Sequence, residues 1–153
     1  MRKTVEVTLR DVLESQQGVN ALIGLRGLPP KQVYQLSYNA RKVKQELHTI
    51  SEAGKTLAQD VYGDLYKVRD EKQRKGADKQ TLKALEQCDA TYRETEQQML
   101  AEQTTLELHV ISCVDVATND RITPALLMST WFMWSEFVDG EEFPEVDGET
   151  DSA

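Results

Sequence analysis

A chain of 153 residues with 39% hydrophobic and 29% charged residues and a formal net charge of −8 is the size of one domain, too short for separate cofactor and substrate halves. Its longest apolar stretch, Pro124 to Val138, falls short of a bilayer span, and two cysteines build no disulfide scaffold. Met1-Arg2-Lys3 leads into alternating polar residues rather than a signal-like apolar run, so a reducing setting is expected, such as the cytosol or a virion.

Val5 and Val7 alternate with Thr4, Glu6 and Thr8, which predicts a half-buried strand over Lys3 to Thr8. Thr8 and Asp11 form a capping arrangement, and Leu9, Val12, Leu13 and Gln16 follow at helical spacing. Gly18 reads as an interruption. Val19, Leu22 and Ile23 then suggest a second short helix ending at Gly24 or Gly27. Leu28-Pro29-Pro30 is the strongest punctuation, because a proline at the first helical position lacks an N–H that would have had no partner there.

Beyond Pro30 a heptad seam runs through Val33, Leu36, Ala40, Val43, Leu47, Ile50, Gly54, Leu57, Val61, Leu65 and Val68. It predicts one long coiled-coil helix from Pro30 to about Arg74, roughly 65 Å at 1.5 Å per residue. Gly54 and Gly63 are its weak points. Lys75-Gly76-Ala77-Asp78 is a turn, with Asp78 capping a second helix that carries Leu82, Leu85, Cys88, Tyr92, Thr95 and Met99. Facing seams across a short turn make an antiparallel hairpin, which places Cys88 level with Leu65 and His48 level with Thr105.

From Thr105 to Val116 the period changes to that of a strand, whose partner is Lys3–Thr8. Ala117 to Arg121 reads as a loop, and Thr123-Pro124 opens a helix through Val138. That helix is apolar almost all round, so it is buried on more than one side. Last come Asp139, Glu141, Glu142, Glu145, Asp147, Glu149 and Asp151, seven acids with no Lys or Arg among them. Without them the body is close to neutral. Such a block predicts a disordered acidic tail over 139–153; Phe143 and Val146 within it would suit a docking peptide.

Val7-Thr8-Leu9 with Val12-Leu13, Ser15-Gln16, Leu28-Pro29 with Lys31 and Tyr34, Tyr62-Gly63, and Ile122-Thr123-Pro124 together resemble a group of small phage-encoded proteins of uncharacterised function. The chain ends carry the resemblance, and Asp64 to about Gln103 has no counterpart in it. It implies a viral origin and brings no catalytic residues with it.

Tests for chemistry find little. In the predicted hairpin His48 and Cys88 stand roughly 25 Å apart, and His109 and Cys113 stand about 13 Å apart on a strand, beyond the reach of a catalytic dyad. No zinc-ligand spacing exists, no glycine-rich nucleotide motif, and Ser129 and Ser135 lack a nucleophile-elbow context. The expectation is therefore no enzyme, no cofactor, no metal, no small-molecule substrate and no membrane. Seven bases, Lys67, Arg69, Lys72, Arg74, Lys75, Lys79 and Lys83, gather at the hairpin tip against Asp70, Glu71 and Asp78, a local balance of +4. They could meet nucleic acid or an acidic protein surface, or could be an ordinary solvated tip. Trp131 and Trp134 either close the core or anchor a neighbouring subunit.

The fold expected is mainly α (α+β): a single domain over 1–138, with a hairpin over about 30–104 on a base made of 1–29 and 105–138. The function expected is a non-enzymatic phage structural or assembly protein acting through protein contacts, by self-association or with other phage proteins. The alternatives are an acidic inhibitor of a host defence protein and a nucleic-acid accessory using the basic tip. The partner-binding candidates are the seven tip bases, Trp131, Trp134 and Phe143.

Overall fold

In the computed structural model, residues 2–116 and 119–139 are described. The protein is mainly helical with one two-stranded antiparallel sheet. Strand β1 (Arg2–Thr8) pairs with β2 (Gln103–His109), Val5 opposite Leu106 and Arg2 opposite His109. Val5, Val7, Leu106 and Leu108 turn inward from one face, as period-2 alternation requires. The predicted capping box closes β1: the Asp11 N–H donates to Thr8 Oγ1 (3.1 Å) and the Thr8 N–H donates to Asp11 Oδ2 (3.0 Å). Helix α1 (Leu9–Glu14) starts there.

Helix α2 (Gln16–Ile23) contains Gly18 rather than ending at it. A Cβ at Gly18 would lie 2.5 Å from Ser129 Oγ and 2.9 Å from Thr130 Cγ2, so this glycine lets α2 press against the C-terminal segment. Helix α3 (Pro30–Tyr62) follows. It is shorter than the sequence predicts. Gly63 takes φ +53° and ψ −123°, a backbone conformation that glycine adopts without the strain an L side chain would bring, and the chain tightens into a 3₁₀ segment over Gly63–Val68 before the short helix α4 (Glu71–Arg74). The single helix expected from Pro30 to Arg74 is therefore three pieces.

Helix α5 (Lys79–Leu100) is capped as predicted, the Thr81 N–H donating to Asp78 Oδ1 at 2.7 Å. It runs back along α3. The Cys88 thiol reaches the Val61 carbonyl at 3.6 Å, about one helical turn before the predicted level of Leu65. Along α3 the buried residues are Leu36, Ala40, Val43 and Ile50, then Ala58 and Tyr62. The buried face thus steps off the heptad seam at Leu57 and Val61, the drift an α-helix shows against a strict seven-residue repeat.

Two further predicted elements are broken up. The strand expected through Val116 stops at His109, and beyond it Ile111 forms an isolated parallel bridge with Trp134. A 3₁₀ turn over Cys113–Asp115 follows. The helix expected from Pro124 to Val138 is α6 (Pro124–Ser129), a 3₁₀ turn over Trp131–Met133, and α7 (Ser135–Val138). The Ile111 N–H donates to the Met133 carbonyl and the Ser135 N–H to the Ile111 carbonyl, each at 2.9 Å. Closing that bridge needs extended backbone at Trp134 (φ −108°, ψ 129°), which interrupts the helix.

Two cores result. The larger joins the sheet, α1, α2, the first half of α3 and the C-terminal segment, with Phe132 and Trp134 fully buried at its centre. The smaller lies at the far end of the helices, around Ala58, Tyr62 and Leu85. The base thus covers Leu36, Ala40 and Val43; of the seam residues from Val33 to Leu47, Val33 is exposed and Leu47 half-buried. The predicted tail lies outside the described residues except for Asp139, which accepts from Lys3 Nζ at 2.7 and 2.8 Å.

Candidate functional site

The basic tip divides into two kinds of residue. Arg74 is committed: its guanidinium donates to both Asp89 oxygens at 2.7 and 2.8 Å and to the Arg69 carbonyl at 2.7 Å. The Tyr62 hydroxyl donates to the same carboxylate. The hydrogen bonds from Arg74 hold the Asp89 carboxyl at about 2. Arg69 is committed too, its guanidinium lying 3.9 Å from the centre of the Tyr66 ring. The Arg74 bonds tie the turn to α5 and, through the Tyr62 hydroxyl on the same carboxylate, to α3, so this predicted binding residue also has a structural task. Lys67, Lys72, Lys75, Lys79 and Lys83 remain exposed.

A cleft of about 590 Å³ lies alongside this knot, where α3 and α5 separate. Its floor is apolar, with Ile50, Ala58 and Leu100 buried beneath it. The rim carries Lys55, Arg69, Tyr92 and Glu96, and Leu13 of α1 closes the end nearest the base. Gly54 keeps the opening wide, its α-carbon side facing the Tyr92 hydroxyl. Burial, reinforced by the neighbouring Glu96 carboxylate, pushes the Tyr92 phenol up to about 12. The protonated phenol is engaged with the Glu96 carboxylate on the same rim. An apolar floor inside a polar, charged rim suits an amphipathic segment better than a small polar substrate.

The tryptophans part company. Trp134 is fully buried and donates from Nε1 to Thr130 Oγ1 at 3.0 Å, so it belongs to the core and presents nothing to a partner. Trp131 is half-buried, edge-on to Phe132 at 5.8 Å. Phe143 lies outside the described residues. The residues tested for catalysis lie on separate elements: Cys88 is on α5, His48 on the exposed side of α3, His109 at the end of β2, and Cys113 in the 3₁₀ turn beyond it. Burial pushes the Cys113 thiol up to about 11, which keeps it protonated and a poor nucleophile. Its neighbour Glu136 is a buried clip, accepting from the Cys113 N–H at 2.9 Å and from the Ser112 hydroxyl. Among the described residues no group of three His, Cys, Asp or Glu is placed to hold a metal ion, and no helix is long and apolar enough to cross a membrane.

One surface escaped the sequence reading. On the outer side of α3, Tyr34 is 64% exposed, and the Tyr38 ring gathers Arg2 and Arg41 at 5.4 Å and Lys42 at 5.5 Å. His109 supports both tyrosines edge-on, its ring 5.9 Å from Tyr34 and 4.9 Å from Tyr38. Burial, followed by the nearby positive charges, lowers the His109 pKa. The signal was present in the sequence: between Glu14 and Glu46 there is no acid, and the same run carries Arg26, Lys31, Arg41, Lys42 and Lys44. Weighing charge over the whole chain hides that run behind the acidic C-terminus. Comparison with family models, curated proteins and solved structures finds no match to this chain.

Proposed function

We propose that this chain is a non-enzymatic phage structural or assembly protein, found in the virion or the host cytoplasm, that works by taking an amphipathic segment of a partner phage protein into the α3–α5 cleft. The observation that carries this reading is the cleft itself: an apolar floor of Ile50, Ala58 and Leu100 within a rim of Lys55, Arg69, Tyr92 and Glu96. Burying one large aliphatic side chain of the partner there would contribute roughly 1.5–3 kcal/mol, and rim charges of both signs would fix its orientation. The distal pairing of α3 and α5 is read as a short antiparallel coiled-coil hairpin whose tip is stiffened by the Tyr62–Asp89–Arg74 knot. Stiffness matters for such a role, because a preformed cleft loses less entropy on binding.

The test is Ser51→Trp, which fills the cleft from an exposed rim position and leaves the buried floor untouched. The variant should keep its helicity and melting temperature while losing its place in assembled particles. Mass spectrometry of purified particles should find the unaltered chain at fixed stoichiometry. Absence of the unaltered chain from both finished particles and assembly intermediates, or normal incorporation of the variant, would refute the reading.

A further inference from the structure

We infer that the outer face of α3, built from Lys31, Tyr34, Tyr38, Arg41 and Lys42 with Arg2 of β1, is a binding site for single-stranded nucleic acid. The site is separate from the cleft and from the tip lysines, and it stands independently of the assembly role. Positions 31, 34, 38, 41 and 42 fall within a stripe about 100° wide on a 3.6-residue helix, and they span about 16 Å of its length. That stripe points away from the buried face of Leu36, Ala40 and Val43.

Three features converge on this ligand. The first is charge: among the described residues no carboxylate pairs with Lys31, Arg41 or Lys42, while Arg2 alone meets Glu107, at 3.0 Å and with both side chains about half exposed. No acid occurs from Ser15 to Gln45 while Arg26, Lys31, Arg41, Lys42 and Lys44 stand in that run; against them the contacts bring Glu107, which pairs with Arg2 and accepts from the Tyr38 hydroxyl at 3.5 Å. The second is an available ring. Tyr34 is 64% exposed, yet His109 backs it edge-on, so it is a braced platform for a stacked base. The third is the cation cage around Tyr38, which holds Arg41 and Lys42 over one ring beside a shallow notch of about 290 Å³ lined by Tyr34, Ser37, Tyr38 and Arg41. A positive track with an exposed aromatic face is what unpaired strands need: phosphates meet the cations and a base stacks on the ring. A duplex has no free base face to offer Tyr34. An acidic peptide would satisfy the cations and leave the ring unused.

The test uses the intact chain and a fluorescent oligothymidylate of about 20 nucleotides, with binding followed by anisotropy across a salt series. Three phosphate contacts, at Lys31, Arg41 and Lys42, predict a log–log salt slope of about −2. Arg41→Gln combined with Lys42→Gln should reduce that slope by about 1.4. Tyr34→Ala should weaken binding about 5- to 150-fold at constant slope, and Tyr34→Phe should restore it. Replacing Lys67, Lys72, Lys75, Lys79 and Lys83 together by Gln should change the slope little. All these side chains lie at the surface, and unchanged circular dichroism will confirm that each variant folds. The inference is overturned if the oligonucleotide does not bind, if the tip variant rather than the α3 variant abolishes binding, if a duplex of the same length binds more tightly, or if polyglutamate binds the same face equally well.

Discussion

Asn39 is the most informative single residue to change. It is fully buried, and its amide reproduces the edge of a strand: Nδ2 donates to the His109 carbonyl and Oδ1 accepts from the His109 N–H, both at 2.8 Å. These two bonds fasten the middle of α3's first half to the end of β2. Asn39→Ala strands both backbone groups. Each stranded buried group costs about 1–3 kcal/mol; His109 is only half-buried, so a total of about 2–4 kcal/mol is expected. At roughly 2–4 °C per kcal/mol for a chain of this size, the melting temperature should fall by about 5–15 °C, read from ellipticity at the helix minimum and checked by urea unfolding. Asn39→Asp makes the argument sharper. Its carboxylate still accepts from the His109 N–H but opposes the His109 carbonyl oxygen, so burial and repulsion raise its folded pKa above the unfolded value of about 3.9. The deficit relative to the unaltered protein should be largest at neutral pH. It should shrink as pH falls through the raised pKa, because the protonated acid donates as the amide did. A loss below about 1 kcal/mol for Asn39→Ala, or an Asn39→Asp deficit that does not change between neutral and acid pH, would refute the assignment.

Gly18→Ala should destabilise the protein by about 1–3 kcal/mol despite the better helix propensity of alanine, because the new methyl meets Ser129 and Thr130 at overpacked distances; chemical denaturation will show the sign. Gly63→Ala should cost about 1–3 kcal/mol through its positive φ with ψ −123° alone, and Gly76→Ala, where φ is not positive and the added atom meets nothing within 4 Å, should cost less in the same assay. Acid should act in two stages. The folded pKa of His109 is lowered, so its contribution is present above the unfolded value of about 6.5 and is lost as pH falls through the lowered folded value. The contribution of Asp89 is lost as pH falls from 3.8 to about 2. Arg74→Gln should raise the Asp89 pKa back toward 3.8, visible in the carboxyl carbon shift by NMR.

Local signals were legible and long-range ones were not. Thr8 with Asp11, Pro30, Asp78 and Thr123 all mark helix starts where the structure has them, because a cap is satisfied within four residues. The strand partners followed from alternation alone. The breaks were missed for a tertiary reason: Trp134 leaves the helix to bridge Ile111, a contact across 23 positions that no local pattern reports. Gly18 was misread for the same cause, since its use is the approach of Ser129. Charge proved hardest to read. Arg74 looked like one base among seven, and only the fold shows it facing Asp89, fifteen residues away. The α3 stripe was visible as an acid-free run, but pairing it with Arg2 required the sheet register that brings β1 beside Tyr38.

The two proposed surfaces follow from how unevenly the apolar residues are distributed. The base buries eighteen core residues around the first half of α3, enough to hold that helix from one side and leave its outer face free for charge and tyrosine. Among the described residues the far end buries three, with Val61, Leu65 and Tyr92 among the half-buried residues packed on them, a thinner core that the polar knot at Asp89 supplements. Between the two cores the helices have neither a thick core nor a knot, and Gly54 offers no side chain to fill the gap. The cleft opens there. A side chain at position 54 would point toward the Tyr92 hydroxyl across the opening, and the floor takes Ile50 and Leu100 from the larger core and Ala58 from the smaller. The α3 surface depends instead on the base, through Asn39 and His109, so damage to one surface need not reach the other. A partner segment in the cleft and a strand of nucleic acid on α3 would lie on different parts of the same helix, which lets one chain hold both at once.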